Sequence, residues 1–357
     1  MRRSALVALG VSTLACGSSQ PGQPSAGPSA SPDPSSRSGF TYRGLTHVSW
    51  WHDEYLYDGA RLSREQLAAT KANWAAVLVT WYMETRDSTT IAPVVLKTPT
   101  DEALVEAVRD LRSRGLKVML KPHVDVLDGS WRGTIRPADP GAWFASYDAF
   151  MARHAALAQA TGAEMLCMGT ELATMSDARY ASQWSTLIAH LRGAYGGLLT
   201  YAANAVRAGD EYTSVSFWPQ LDVAGLDAYT PLTDKYNPSR EDLVQGWSRN
   251  RDGENMVAAF RNWQASHGKP VIFTELGYRS ADGANRAPWD WQASAPYDPG
   301  EQADCYDAAF QVWSQQAAWM RGIFWWDWDV PTPAADDTGY TPRSKPAEQV
   351  LRSWQSP

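Results

Sequence analysis

The sequence predicts an α/β fold, a single (β/α)8 barrel (TIM barrel), on three observations. Eight short apolar runs recur between Gly44 and Trp328, and most are continuous rather than alternating, as strands covered on both faces require. Stretches with apolar residues at helical spacing separate them, the alternation that builds a parallel sheet. From Gly39 onward neither a second linker nor a short-period repeat interrupts the series. The rival, an open doubly wound sheet, normally places a glycine-rich phosphate turn after its first strand. The segment "THVSWWHDEY" at 46–55 is nothing of the kind.

In chain order, the first strand is "GLTHVSW" at 44–50. The helix "SREQLAATKANW" at 63–74 follows, with Ser63 three residues before Gln66 as a capping box. The second strand is "AAVLVTWY" at 75–82, and "PTDEALVEAVRDLRSRG" after it is a helix stopped by Gly115. The third, "LKVMLKPHV" at 116–124, leads to a long helix over 141–162 that ends at Gly162. Strands four to six are "EMLCMG" at 164–169, "LLTYAAN" at 198–204 and "LDVAGLDAY" at 221–229, with helices expected at about 178–194 and 239–266. "PVIFTEL" at 270–276 and "GIFWWDW" at 322–328 complete the series, with helices at 299–320 and 346–355.

The amino terminus does not belong to this fold. "MRRSALVALGVSTLACGSS" joins two arginines, a short apolar run and small residues before Cys16, which marks residues 1–15 as a secretory signal peptide too short to remain as a membrane span. The ending resembles a bacterial lipoprotein box, with Thr13 where that pattern usually has Leu, so Cys16 is expected to carry lipid. Residues 16–39 are rich in Pro, Ser and Gly and form a flexible tether; the barrel domain is expected over 40–357. This implies an extracytoplasmic protein, a cell-surface or periplasm-facing lipoprotein or otherwise a secreted one, that touches membrane only through its anchor. Cys167 and Cys305 remain; Cys167 lies inside an apolar strand, where a free buried thiol is the commoner state.

A net charge of −7 argues against a nucleic-acid binder. Phosphate-loop and dinucleotide fingerprints are missing from the sequence, and His123 with Asp125 has no accompanying metal-ligand motif, so neither cofactor nor metal is expected. The 18 Trp and 15 Tyr exceed what a core of this size needs, and flat aromatic faces suit the C–H faces of sugar rings.

Two apolar strands run into a glutamate: "EMLCMGTELA" reaches Glu171 and "VIFTELGY" reaches Glu275. A carboxylate is costly to bury unpaired, so its place at a strand end needs a reason. Active sites of such barrels form at the carboxyl ends of the strands. Glu84, Asp125, Glu171, Asp227, Glu275 and Asp327 all fall there, and position alone does not choose among six acids. Trp50, Trp51, Trp81, Tyr82, Trp218, Tyr229, Trp325, Trp326 and Trp328 fall at the same ends, so the expected mouth is acidic and aromatic. Lys121 and His123 alternate and share one face of the third strand. By the same alternation Trp325 and Trp326 cannot both face the interior, and "APWDW" at 287–291 is a candidate wall for a distal subsite.

"GTELA", "FTELGY", "LDAYTPL" and "GIFWWDW", with "KPHV" and "LTYAAN", resemble glycoside hydrolase family 113 from about Thr46 to Trp328. That resemblance implies a retaining barrel glycosidase, mainly an endo-β-1,4-mannanase. Its general acid/base would be Glu171 and its nucleophile Glu275, acting on mannan, glucomannan or galactomannan; separately, a monomer is expected. Substrate binding is expected of Trp50, Lys121, His123, Asn204, Asp227, Tyr229, Trp325 and Trp326, which fall at the strand ends, with Tyr229 bonded to Glu275. The wider clan usually has Asn immediately before the acid/base; here Thr170 stands there, and Asn204 is the expected substitute. Another β-linked glycan, glucan or xylan, and a non-catalytic glycan-binding lipoprotein remain the alternatives.

Overall fold

The computed structural model describes residues 36–357; the leader, Cys16 and the tether up to residue 35 lie outside them. Eight parallel strands close into a barrel in chain order: β1 (Tyr42–Val48), β2 (Trp74–Met83), β3 (Lys117–Val126), β4 (Met165–Thr170), β5 (Leu198–Asn204), β6 (Ala224–Asp227), β7 (Val271–Leu276) and β8 (Met320–Asp329). The helices are α1 (Asp58–Ala69), α2 (Asp101–Ser113), α3 (Pro140–Thr161), α4 (Ala181–Ala194), α5 (Arg240–Gly246), α6 (Met256–His267), α7 (Pro299–Trp313) and α8 (Pro346–Gln355).

Local chemistry sets several helix ends. Thr100, Asp139, Asn255 and Asp298 each cap a first turn with a side-chain oxygen, and Gly162 and Gly268 end α3 and α6 in the left-handed conformation. Helix α1 differs from the expectation. It begins at Asp58, and Ser63 lies inside it, donating to the Asp329 carbonyl at 2.7 Å rather than capping. The single helix expected over 239–266 is two. Between them Asn250 Oδ1 accepts the Asp252 and Glu254 N–H groups at 3.0 and 2.8 Å, and Gly253 adopts φ +81°, so a turn outcompetes helix continuation. Residues 36–39, read as tether, are folded: the N–H groups of Arg37 and Ser38 donate to the carbonyls of Ser356 and Trp354 at 2.8 and 3.0 Å.

Strand alternation divides the core in two. Tyr42, Trp74, Met119, Met165, Ile272 and Phe324 plug the barrel interior near the strand starts. The alternate residues, among them Val118, Leu120, Leu166, Phe273 and Trp325, join the helices in an outer core. The interior parity then climbs each strand toward its carboxyl end. On β3 it runs Met119, Lys121, His123; on β8 it runs Phe324, Trp326. An apolar plug below and polar groups above therefore fix where chemistry can occur.

Candidate active site

Lys121 is fully buried, and its ammonium donates to Glu275 Oε1 while lying 3.7 Å from Asp227 Oδ1. Tyr229, just past β6, donates to Glu275 Oε2 at 2.8 Å. Both oxygens of Glu275 thus accept hydrogen bonds, one of them from a buried cation. His123 Nε2 lies 3.5 Å from Oε1. Above it the Trp326 ring stacks on the imidazole at 6.0 Å and 7°, and half-exposed Trp50 meets Trp326 edge-on at 6.3 Å.

Burial pulls the Lys121 pKa down, but Asp227 and Glu275 more than offset it, and the net shift is upward. Asp227 is fully buried. Burial, then the charge of Glu275, pushes its carboxyl well above the usual carboxylate range, against the opposing pull of Lys121. Its Oδ1 accepts from the Thr274 hydroxyl at 2.7 Å, and Oδ2 has no hydrogen-bond partner among the described residues. One buried cation for one buried anion is the arrangement of lowest cost, which leaves Asp227 as the neutral acid.

Glu171 follows β4 in the left-handed region, at φ +49°, a conformation that costs a non-glycine residue about 1–2 kcal/mol. A register shift between Cys167 and Thr170 against β5 precedes it, and its N–H donates to the Ala202 carbonyl at 2.8 Å. This bulge turns the side chain out of the strand's alternation and into the mouth. There Asn204 Nδ2 donates to Oε1 at 3.0 Å and Trp131 Nε1 to Oε2 at 3.2 Å. Thr170 is buried, and its hydroxyl has no partner among the described residues.

A buried carboxylate supports this side of the mouth from behind. Glu211 accepts from Tyr201, Ser176 and the backbone N–H of Asn204 at 2.5, 2.7 and 2.8 Å. Burial pushes its pKa up to about 7 against these hydrogen bonds. The loop after β3 supports the other side. Arg132 binds Asp125 Oδ1 through Nε at 3.0 Å and through a terminal nitrogen at 2.5 Å, and its other terminal nitrogen lies 3.1 Å from His123 Nδ1.

The structure brings Glu171, Asp227 and Glu275 into one electrostatic neighbourhood, since Asp227 feels both glutamates. Glu84 is exposed and Asp125 is held by Arg132. Several expected binding residues need correction. Trp325 does not line the cleft: with no exposed surface it stacks on Tyr306 at 3.9 Å in the outer core, because Phe324 and Trp326 take the interior parity. Lys121 and Asp227 have no exposed surface: the Lys121 ammonium sits against the Glu275 carboxylate, with Asp227 Oδ1 3.7 Å from it. Trp218 and Trp328 are also buried between strands and helices, and Trp81 packs outward on Phe150 and His154. Cys167 and Cys305 are free and buried. Trp131, Arg132 and Glu211 escaped the sequence reading; they lie on loops past the strand ends, where no periodicity marks them.

A profile of glycoside hydrolase family 113 matches residues 46–345. The structure of a family 113 β-mannanase from Alicyclobacillus acidocaldarius, in complex with ManMIm, is similar at 31% identity and a TM-score of 0.77. The match covers 88% of this chain and 96% of that one. Two further structures of family 113 β-1,4-mannanases match at 26% identity, over 88% of this chain and 98% of theirs, with TM-scores of 0.75 and 0.77. A comparison with curated proteins finds no match. By profile, fold and overall sequence similarity, the chain belongs to glycoside hydrolase family 113 and is a glycoside hydrolase.

Proposed function

We propose that the enzyme is a retaining endo-β-1,4-mannanase acting on mannan, glucomannan or galactomannan. The observation that carries this reading is the contrast between the two glutamates. Glu275 is gripped on both oxygens by Lys121 and Tyr229, whereas Glu171 faces the mouth on a strained bulge, hydrogen-bonded among the described residues by the neutral donors Asn204 and Trp131. The first suits a carboxylate that must stay charged and aimed; the second suits a group that gives and takes a proton.

In the first step a Glu275 oxygen attacks the anomeric carbon as the glycosidic C–O bond breaks, and Glu171 passes its proton to the departing oxygen. In the second, Glu171 removes a proton from water, the water oxygen bonds the anomeric carbon, and the bond to Glu275 breaks. Each glutamate ends as it began. Trp326 and Trp50 offer stacking faces for sugar rings, and Asn204 offers its amide oxygen to a hydroxyl beside Glu171. The leader and Cys16 pattern supports a lipid-anchored enzyme working outside the cytoplasm.

The substrate names of the family 113 structures support mannan. Reducing-sugar release from mannan, glucomannan, glucan and xylan tests the reading, with Glu171→Gln and Glu275→Gln as controls. Release from the two mannose-containing polymers, lost in both variants, is expected. Comparable release from pure glucan or xylan would overturn the substrate, and undiminished release by Glu275→Gln the mechanism.

A further inference from the structure

We propose that Arg132 is a positioning residue: it fixes the tautomer of His123 so that Nε2–H is a permanent donor beside Glu275, aimed at a hydroxyl oxygen of the attacked sugar. The catalytic consequence rests on the glycosidase reading above; the tautomer itself does not.

A guanidinium carries donors only and keeps its charge, so an imidazole nitrogen in contact with it must accept. Arg132 lies 3.1 Å from His123 Nδ1, which assigns the lone pair to Nδ1 and the ring proton to Nε2. Burial first, then Arg132 and Lys121, hold the His123 pKa well below its ordinary 6.5, so the ring stays neutral and one tautomer suffices to describe it.

The groups that face the ring are few. Trp326 covers one face, Lys121 lies two residues back on the same strand face, Glu275 approaches from β7, and Arg132 with its partner Asp125 closes the Nδ1 side. Nε2 is buried and has no hydrogen-bond partner among the described residues; Glu275 Oε1 at 3.5 Å is too far for a good bond. A buried donor left without an acceptor keeps its full desolvation penalty. A sugar hydroxyl packed against both atoms, to one side of the 3.5 Å line between them, accepts from Nε2–H and donates its own proton to Glu275 Oε1, which satisfies the donor. The ligand class is therefore a sugar hydroxyl, read as an acceptor by His123.

Arg132 is itself held in place. Asp125 grips its guanidinium, and Thr174, in the loop after β4, donates to the Gly133 carbonyl through its backbone N–H at 3.2 Å and its hydroxyl at 2.6 Å. A Cβ at Gly133 would meet the Trp131 indole at 2.4 Å, so a side chain there would push that ring off Glu171. The same short segment thus places Trp131 on Glu171 and Arg132 on the histidine beside Glu275.

The test is two-bond ¹H–¹⁵N correlation spectroscopy of the folded protein labelled at its six histidines, with His123 assigned by its loss in His123→Gln. Wild type is expected to show neutral His123 with the proton on Nε2. Arg132→Met is expected to give a mixed or Nδ1–H signal, and Arg132→Lys, which keeps a donor, to restore the Nε2–H form. The double variant Asp125→Asn, Arg132→Met removes the charge that Arg132→Met would orphan, and it is expected to give the same tautomer change with the fold intact. In parallel, kcat/KM on a mannan oligosaccharide should fall about tenfold or more in Arg132→Met and recover in part in Arg132→Lys. A proton on Nδ1 in wild type, or an unaltered Nε2–H signal in both methionine variants, overturns the proposal. The spectra need no substrate, so a protein that shows the Arg132-dependent tautomer yet cleaves no mannan sinks the function and spares the tautomer.

Discussion

Replacing Lys121 by Met keeps most of the side-chain volume and deletes the cation beneath Glu275, which makes it the sharpest probe of this site. The wild-type ammonium has no exposed surface and lies between Glu275 and Asp227. Methionine fills a similar space, so the packing loss is small. What remains for Glu275 is the Tyr229 hydroxyl at 2.8 Å, with His123 Nε2 at 3.5 Å. Breaking a buried pair by removing one partner costs about 3–5 kcal/mol. If that cost falls on the carboxylate that must be charged to attack, then at tenfold per ~1.36 kcal/mol kcat drops roughly a hundredfold to several thousandfold. Saturating turnover of a β-1,4-mannan oligosaccharide, measured beside the thermal midpoint, separates the catalytic loss from a folding loss. Turnover within fivefold of wild type would refute the claim that Lys121 holds the nucleophile.

The remaining expectations concern its neighbours. If Asp227 is the neutral acid, Asp227→Asn should retain turnover within about tenfold, and a loss as deep as that of Lys121→Met would show that its charge is needed. Glu211 has a folded pKa of about 7 against an ordinary 4.5. The folded state binds that proton more tightly, so the contribution to stability is full below about 4.5 and is lost as pH rises through about 7. Relative to Glu211→Gln, wild type should therefore lose about 3 kcal/mol across that window in denaturant titrations, and a flat difference would contradict the shift. Trp325→Ala should cost about 3–5 kcal/mol of stability, whereas Trp326→Ala should raise KM with a nearly unchanged thermal midpoint; the reverse pattern would exchange their places.

The barrel was legible because its strands are covered on both faces and so read as continuous apolar runs such as "AAVLVTWY" and "PVIFTEL". Glu275 was legible for the same reason: a carboxylate ending such a run needs an explanation. Sequence parity put Lys121 and His123 together but could not say which of Trp325 and Trp326 faced inward. That choice depends on Phe324 joining Tyr42 and Trp74 in the interior plug, a tertiary fact. The bulge that turns Glu171 depends on register against β5 and leaves no trace in "GTELA". Arg132 and Glu211 were invisible because their partners are distant or irregularly spaced: Arg132 folds back on Asp125 and His123, and Glu211 reaches Tyr201 and Ser176 from a short turn. Loops carry such groups without any period to announce them.

In the proposed mechanism Glu275 becomes covalently bonded to sugar during turnover. Incubation with a 2-deoxy-2-fluoro-β-mannosyl fluoride, which slows the second step, followed by peptide mapping, tests it most directly. One sugar adduct per chain is expected on the peptide containing Glu275, formed even in Glu171→Gln and abolished in Glu275→Gln. An adduct on any other residue, or hydrolysis with inversion at the anomeric carbon and no adduct, would contradict it.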